Sequence, residues 1–178
     1  MIRRIWLLTL LLVAPFTAIA QTQYVLVNSR LTYHMSHPMH NVDGASTAAR
    51  GKGACGDGKC DFLIAAPVKS FTSGDSNRDL HMVETARGAE FPMVVVRTTL
   101  PQNMPDGAIY ADLEVQFAGQ TAHYQHVAFE KTTSGNQVHI TGTVPATCSD
   151  FKIERPTFLT VPIKNDIPVS VDMTWRKE

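Results

Sequence analysis

Apolar and polar residues alternate with a period of two over much of this chain, and that restricts it to a fold of half-buried strands. From Ile109 to Phe117 the odd positions Ile109, Ala111, Leu113, Val115 and Phe117 are separated by Tyr110, Asp112, Glu114 and Gln116. Successive strand side chains point to opposite faces, so this pattern gives one apolar and one wet face. Near the end of the chain Ile167, Val169, Val171, Met173 and Trp175 repeat it. Val138, Ile140, Gly142 and Val144 do so before them, and Val25, Val27, Leu31, Tyr33 and Met35 at the start.

Further strands are expected at residues 42–50, 60–70, 93–100 and 121–131. Turn residues separate them at Gly51-Lys52-Gly53, 101–107, Ala118-Gly119 and Ser134-Gly135-Asn136. About eight strands at hairpin spacing read as an all-β, mainly antiparallel sandwich or barrel. One short helix interrupts them. Asp75 or Ser76 caps it, Leu80 and Val83 line one face, and Gly88 ends it. So short a helix covers little sheet, so the apolar faces must look inward, and a barrel achieves this without exposed edges.

Residues 1–20 read as a signal peptide. Arg3 and Arg4 precede an apolar run, and Ala18-Ile19-Ala20 supplies the small-x-small pattern for cleavage after Ala20. The expected product is a single domain, residues 21–178, exported to a periplasm and not integral to the membrane. Removing Arg3 and Arg4 from a balanced 16 Lys+Arg and 16 Asp+Glu leaves a net charge of −2. That provides no basic stripe for nucleic acid. Export permits a disulfide, and Cys55 and Cys60 flank the turn-forming Gly56-Asp57-Gly58-Lys59. Cys148 is left over, as a buried small hydrophobe or as a free thiol with a redox or metal role.

Three blocks, in order, resemble the YceI-like family of polyisoprenoid-binding, lipocalin-like periplasmic barrels. They are Asn28 to His37 followed by Val42-Asp43-Gly44, then Ser70 to Met82 with Ala89-Glu90-Phe91-Pro92, and last Asp150 to Pro156 with Val161-Pro162-Ile163 and the closing strand. The segment Leu113 to Thr121 matches the family's hairpin only loosely, and the Cys55–Cys60 loop and the close histidines depart from it. The resemblance implies an eight-stranded barrel with an elongated apolar pocket for an isoprenoid chain, a polyprenyl or quinone tail or a similar lipid. No cofactor is implied beyond that bound lipid. The side chains expected to line the pocket are Tyr33, Met35, Leu113, Val115, Phe117, Ile140, Val169, Val171, Met173 and Trp175. The same residues would serve equally as a packed core, since barrels of this size do both. Asn77, Arg78, Asp79 and His81 form the signature at the barrel mouth. There Asp79 complements the helix start and Arg78 is expected to pair with a carboxylate. Whether two copies form a homodimer is left open.

His34, His37 and His40 suggest an alternative, a metal-binding or redox-associated protein. In a straight strand His34 and His40 lie about 20 Å apart and His37 faces the other way, while Pro38 breaks a helix through the run. Gly51-x-Gly53-x-x-Gly56 spells a dinucleotide fingerprint, but no helix follows it, and it is expected to be a hairpin turn. No Gly-x-Ser-x-Gly elbow is present, and no carboxylate pair is placed for acid and base work. The chain is therefore expected not to be an enzyme.

Overall fold

The structure is a computed structural model that describes residues 21–158 and 160–178. The expected signal segment lies outside the described residues. The strands are β1 (Thr22–His37), β2 (His40–Ser46), β3 (Arg50–Gly56), β4 (Lys59–Pro67), β5 (Met93–Pro101), β6 (Gly107–Phe117), β7 (Gln120–Ser134), β8 (Gln137–Val144), β9 (Thr157–Phe158), β10 (Val161–Pro162) and β11 (Val169–Lys177). Helix α1 (Ser76–Thr85) lies between β4 and β5.

Eight strands close a ring in the order β11-β8-β7-β6-β5-β4-β3-β1, with β1 pairing back onto β11. Every pairing is antiparallel. The long β1 uses one edge twice. Thr22 to Val25 pairs with β3, and Leu31 to His37 pairs with β2. The single strand expected over residues 42–50 is thus two strands, broken at residues 47–49.

Gly51-Lys52-Gly53 lies inside β3 rather than in a turn. A Cβ on Gly51 would sit 2.5 Å from the Trp175 ring, and one on Gly53 would sit 2.4 Å from Phe62. Here glycine admits a cross-strand ring instead of bending the chain. The hairpin turn is four residues further on, at Asp57 (φ 52°) and Gly58 (φ 77°). Cys55 and Cys60 face each other across it and form the expected disulfide.

Phase also differs in β1. The register with β11 shifts between Leu26 and Asn28. Leu26 is therefore 7% exposed and Val27 43%, the reverse of strict alternation. A bulge adds one residue, and every side chain before it changes face. A second shift falls between Ala111 and Leu113. There His126 takes φ 56°, donates its backbone N–H to Asp112 Oδ1 at 2.7 Å, and stacks on Tyr110 at 4.0 Å. The strand expected over residues 60–70 ends at Pro67, and Val68–Ser70 is a 3-10 turn.

Helix α1 begins as expected. The Asp75 carboxylate accepts from the backbone N–H groups of Asn77 (3.0 Å) and Arg78 (3.1 Å). Its expected apolar face is not realised, because Leu80 is 59% exposed and no residue of the helix is buried. Arg87, not Gly88, takes the left-handed conformation after it (φ 53°).

Small domains usually hold one contiguous core. This barrel holds two buried clusters, linked through the half-buried Val96. Leu26, Leu31, Ile64, Met173 and Trp175 belong to one; Ala111, Leu113, Val115, Val127 and Phe151 belong to the other.

Candidate ligand cavity

Between the two clusters runs a cavity of about 370 Å³ with almost wholly apolar walls. That lies within the range of roughly 300–1,000 Å³ typical of small-molecule pockets. It is lined from the α1 end, by Phe71, His81 and Met82, to the disulfide end, by Cys60, Gln102 and Met104. Ile140, Val169 and Val171 pack against the two clusters yet are only half-buried, because they also line the cavity.

All ten side chains expected to line a pocket do line it: Tyr33, Met35, Leu113, Val115, Phe117, Ile140, Val169, Val171, Met173 and Trp175. Sequence reasoning missed others. Phe151, Ile153 and Ile163 reach the cavity from the irregular stretch between β8 and β11, where no periodicity marks an inward face. Phe62 and Phe129 come from strands whose alternation is less regular.

At the α1 end the mouth signature separates by role. Arg78 and His81 line the cavity, whereas Asn77 and Asp79 do not. Arg78 does not meet a carboxylate across the mouth. Its Nε donates to Ser73 Oγ at 2.8 Å and a terminal nitrogen donates to the Ser73 carbonyl at 3.1 Å. The Asp79 carboxylate accepts from Thr72 Oγ1 (2.7 Å), from the Ser73 N–H (2.8 Å) and from Ser73 Oγ. Desolvation pushes its pKa up, but the Ser73 and Thr72 hydrogen bonds outweigh this and hold it below the usual aspartate value. Together these two side chains clasp the Thr72-Ser73 strap to the helix. The strap itself joins the sheet by a two-way backbone bridge to Ala45.

Tyr33 lies flat over Gly44, where a Cβ would come within 2.3 Å of its ring. Burial, then the Asp79 charge, raises its pKa. Tyr124 donates to Asp150 at 2.7 Å, and burial followed by that hydrogen bond raises its phenol strongly. Cys148 is free and buried in the cavity wall, with its thiol pushed up by burial and so kept protonated.

Of the three histidines, His37 and His40 meet but His34 stands apart. His34 sits on the wet face between Asp43 Oδ1 (2.9 Å) and Ser170 Oγ (2.8 Å). His37 is buried on the other face, with Nε2 3.2 Å from the Val161 carbonyl oxygen. The His40 ring lies 5.2 Å from that of His37 across the tight β1–β2 hairpin. Among the described residues no group of three His, Cys, Asp or Glu side chains is placed to hold a metal ion. Nor is any helix of the described residues long and apolar enough to cross a membrane.

No protein-family model and no curated protein sequence matches the chain. Solved structures do. A polyisoprenoid-binding domain from Saccharophagus degradans, implicated in plant cell wall breakdown, superposes with a TM-score of 0.71 at 12% identity, over 87% of this chain and 98% of that one. Burkholderia cenocepacia BcnA gives 0.70 at 12% identity, over 82% and 95%. The Campylobacter jejuni YceI protein gives 0.55 at 13% identity, over 66% and 72%. Identity this low speaks to architecture alone, and the closed eight-stranded barrel with its short helix is therefore the YceI-like fold.

Proposed function

We propose that the protein is a non-enzymatic periplasmic carrier or store for a long apolar chain, such as a polyprenyl group, a quinone tail or a similar lipid, held in the barrel cavity. The observation that carries this reading is the continuous apolar bore that runs between the two core clusters. The name of the S. degradans domain, polyisoprenoid-binding, supports the same class of cargo. Each methylene moved from water into such a wall contributes about 0.8 kcal/mol, so a long tail binds tightly without specific chemistry. The ten expected lining residues supply that wall, and the clasp at Arg78 and Asp79 seats the helix over one end.

Trp175 lines the cavity and is the one tryptophan after residue 20. Its fluorescence reports occupancy. Protein exported to a bacterial periplasm is expected to release a co-purifying lipid on organic extraction, and the emptied protein to rebind a polyprenol or quinone with a change at Trp175. An empty protein that rebinds neither overturns the proposal.

A further inference from the structure

The cavity wall contains three basic side chains and no carboxylate: Arg78 and His81 at the α1 end, and Lys131 at the other. They differ in their access to water. The His81 side chain is 64% exposed, whereas that of Lys131 is only 13% exposed. Lys131 continues the inward face of β7 after Val127 and Phe129 and is paired across the sheet with Ile140 and Gly107. A cation set into an apolar face is costly unless it is paired.

Its partners lie at the rim. Nζ donates to Asp106 Oδ1 at 2.5 Å and to Thr133 Oγ1 at 2.9 Å. Asp106 is in turn held by the Thr133 N–H (3.0 Å) and Thr133 Oγ1 (2.7 Å). An ammonium has three N–H donors, and the third has no protein acceptor among the described residues. Gln102, also in the cavity lining, lies in the same loop as Asp106. Beside this loop the β5–β6 ladder runs only from Val95 to Arg97.

On the reading that the cavity holds a long apolar chain, we propose that Lys131 is the head-group subsite and that it selects an uncharged oxygen acceptor, a carbonyl or hydroxyl, over a carboxylate or phosphate. The third N–H recognises the oxygen. Asp106 already balances the lysine charge, so an anionic head would set a second negative charge beside its carboxylate. A neutral acceptor adds none. Arg78 and His81, at the wetter end, then face the tail side of the bore.

The test compares three probes of equal chain length at neutral pH, 2-tetradecanone, tetradecanoate and tetradecane, by titration against Trp175 fluorescence. The ketone is expected to bind about tenfold more tightly than either of the others, the gain of one hydrogen bond to a charged donor. Lys131→Met should bring the ketone down to the alkane, whereas Lys131→Arg, which keeps the cation, should preserve the ranking. Asp106→Asn should reverse the order of ketone and tetradecanoate. Binding of tetradecanoate as tight as the ketone in the unmodified protein overturns the head-group proposal alone, as does an unchanged ranking in Lys131→Met. Failure of all three probes to bind overturns the carrier reading itself, and the subsite with it. Circular dichroism of each variant separates a lost preference from a lost fold.

Discussion

The two ends of the barrel are closed by different kinds of bond. At the disulfide end Cys55–Cys60 ties the β3–β4 hairpin, Trp175 meets Phe62 edge-on at 5.1 Å, and Tyr24 packs on Phe62 at 5.8 Å. Asp106 then pins the β5–β6 loop to β7 through Lys131 and Thr133. At the other end lies a helix with no buried residue, held by the Arg78 and Asp79 clasp and by single backbone bonds such as Val68 N–H to the Pro92 carbonyl (2.9 Å). One end is fastened by a disulfide and an aromatic nest, whereas the other relies on hydrogen bonds, each worth about 1 kcal/mol net, on the buried Val68 and Ala86, and on the Tyr33–Phe71 and Arg87–Phe91 contacts. With no covalent tie at α1, the bore is expected to open there more readily than at the disulfide.

The contrast can be attacked first where it is strongest. Trp175→Ala removes a buried ring from the aromatic nest and is expected to cost about 3–5 kcal/mol of global stability in denaturant unfolding. A loss below about 1 kcal/mol would mean that the nest does not fasten that end. Replacing both Cys55 and Cys60 by Ser should cost about 2 kcal/mol, the chain-entropy value for so short a loop. Amide exchange in α1 should be unaffected, and faster exchange there would show that the two ends are mechanically linked.

The smallest effect is expected at the helix. Asp79 is held below its usual pKa in the folded protein, so its contribution is fully present above the ordinary aspartate value and is lost as pH falls through the lowered one. Exchange protection of α1 should fall over that acidic window while the strands stay protected. Asp79→Asn should weaken protection at neutral pH and abolish the acid step. If helix and strands lose protection together, the helix is not a separately held lid.

Much of the barrel was legible because alternation is a direct readout of the pleat. In β6, β8 and β11 it assigned the inward face correctly, and all ten expected lining residues came from such strands and from the second half of β1. The first half of β1 was misphased because one inserted residue at Val27 changes the face of everything before it, and composition carries no mark of a bulge. Gly51 and Gly53 read as turn residues because glycine serves both loops and close ring approach, and the ring that explains Gly51 is Trp175, far away in sequence. Lys131 fell at the end of an expected strand and carried no sign of the Asp106 that makes its position tolerable. Leu80 suggested an apolar helix face by spacing alone, but α1 spans the end of the barrel instead of packing into a core.

The rings laid over glycines also set the calibre of the bore. Trp175 over Gly51, Phe62 over Gly53 and Tyr33 over Gly44 each occupy the volume where a Cβ would stand. Large aromatic surface is thereby spread along the wall rather than projected into the lumen, as panelling is. A methyl group at any of these glycines would push its ring toward the axis. The diameter available to a guest is thus governed in part by residues that never touch it.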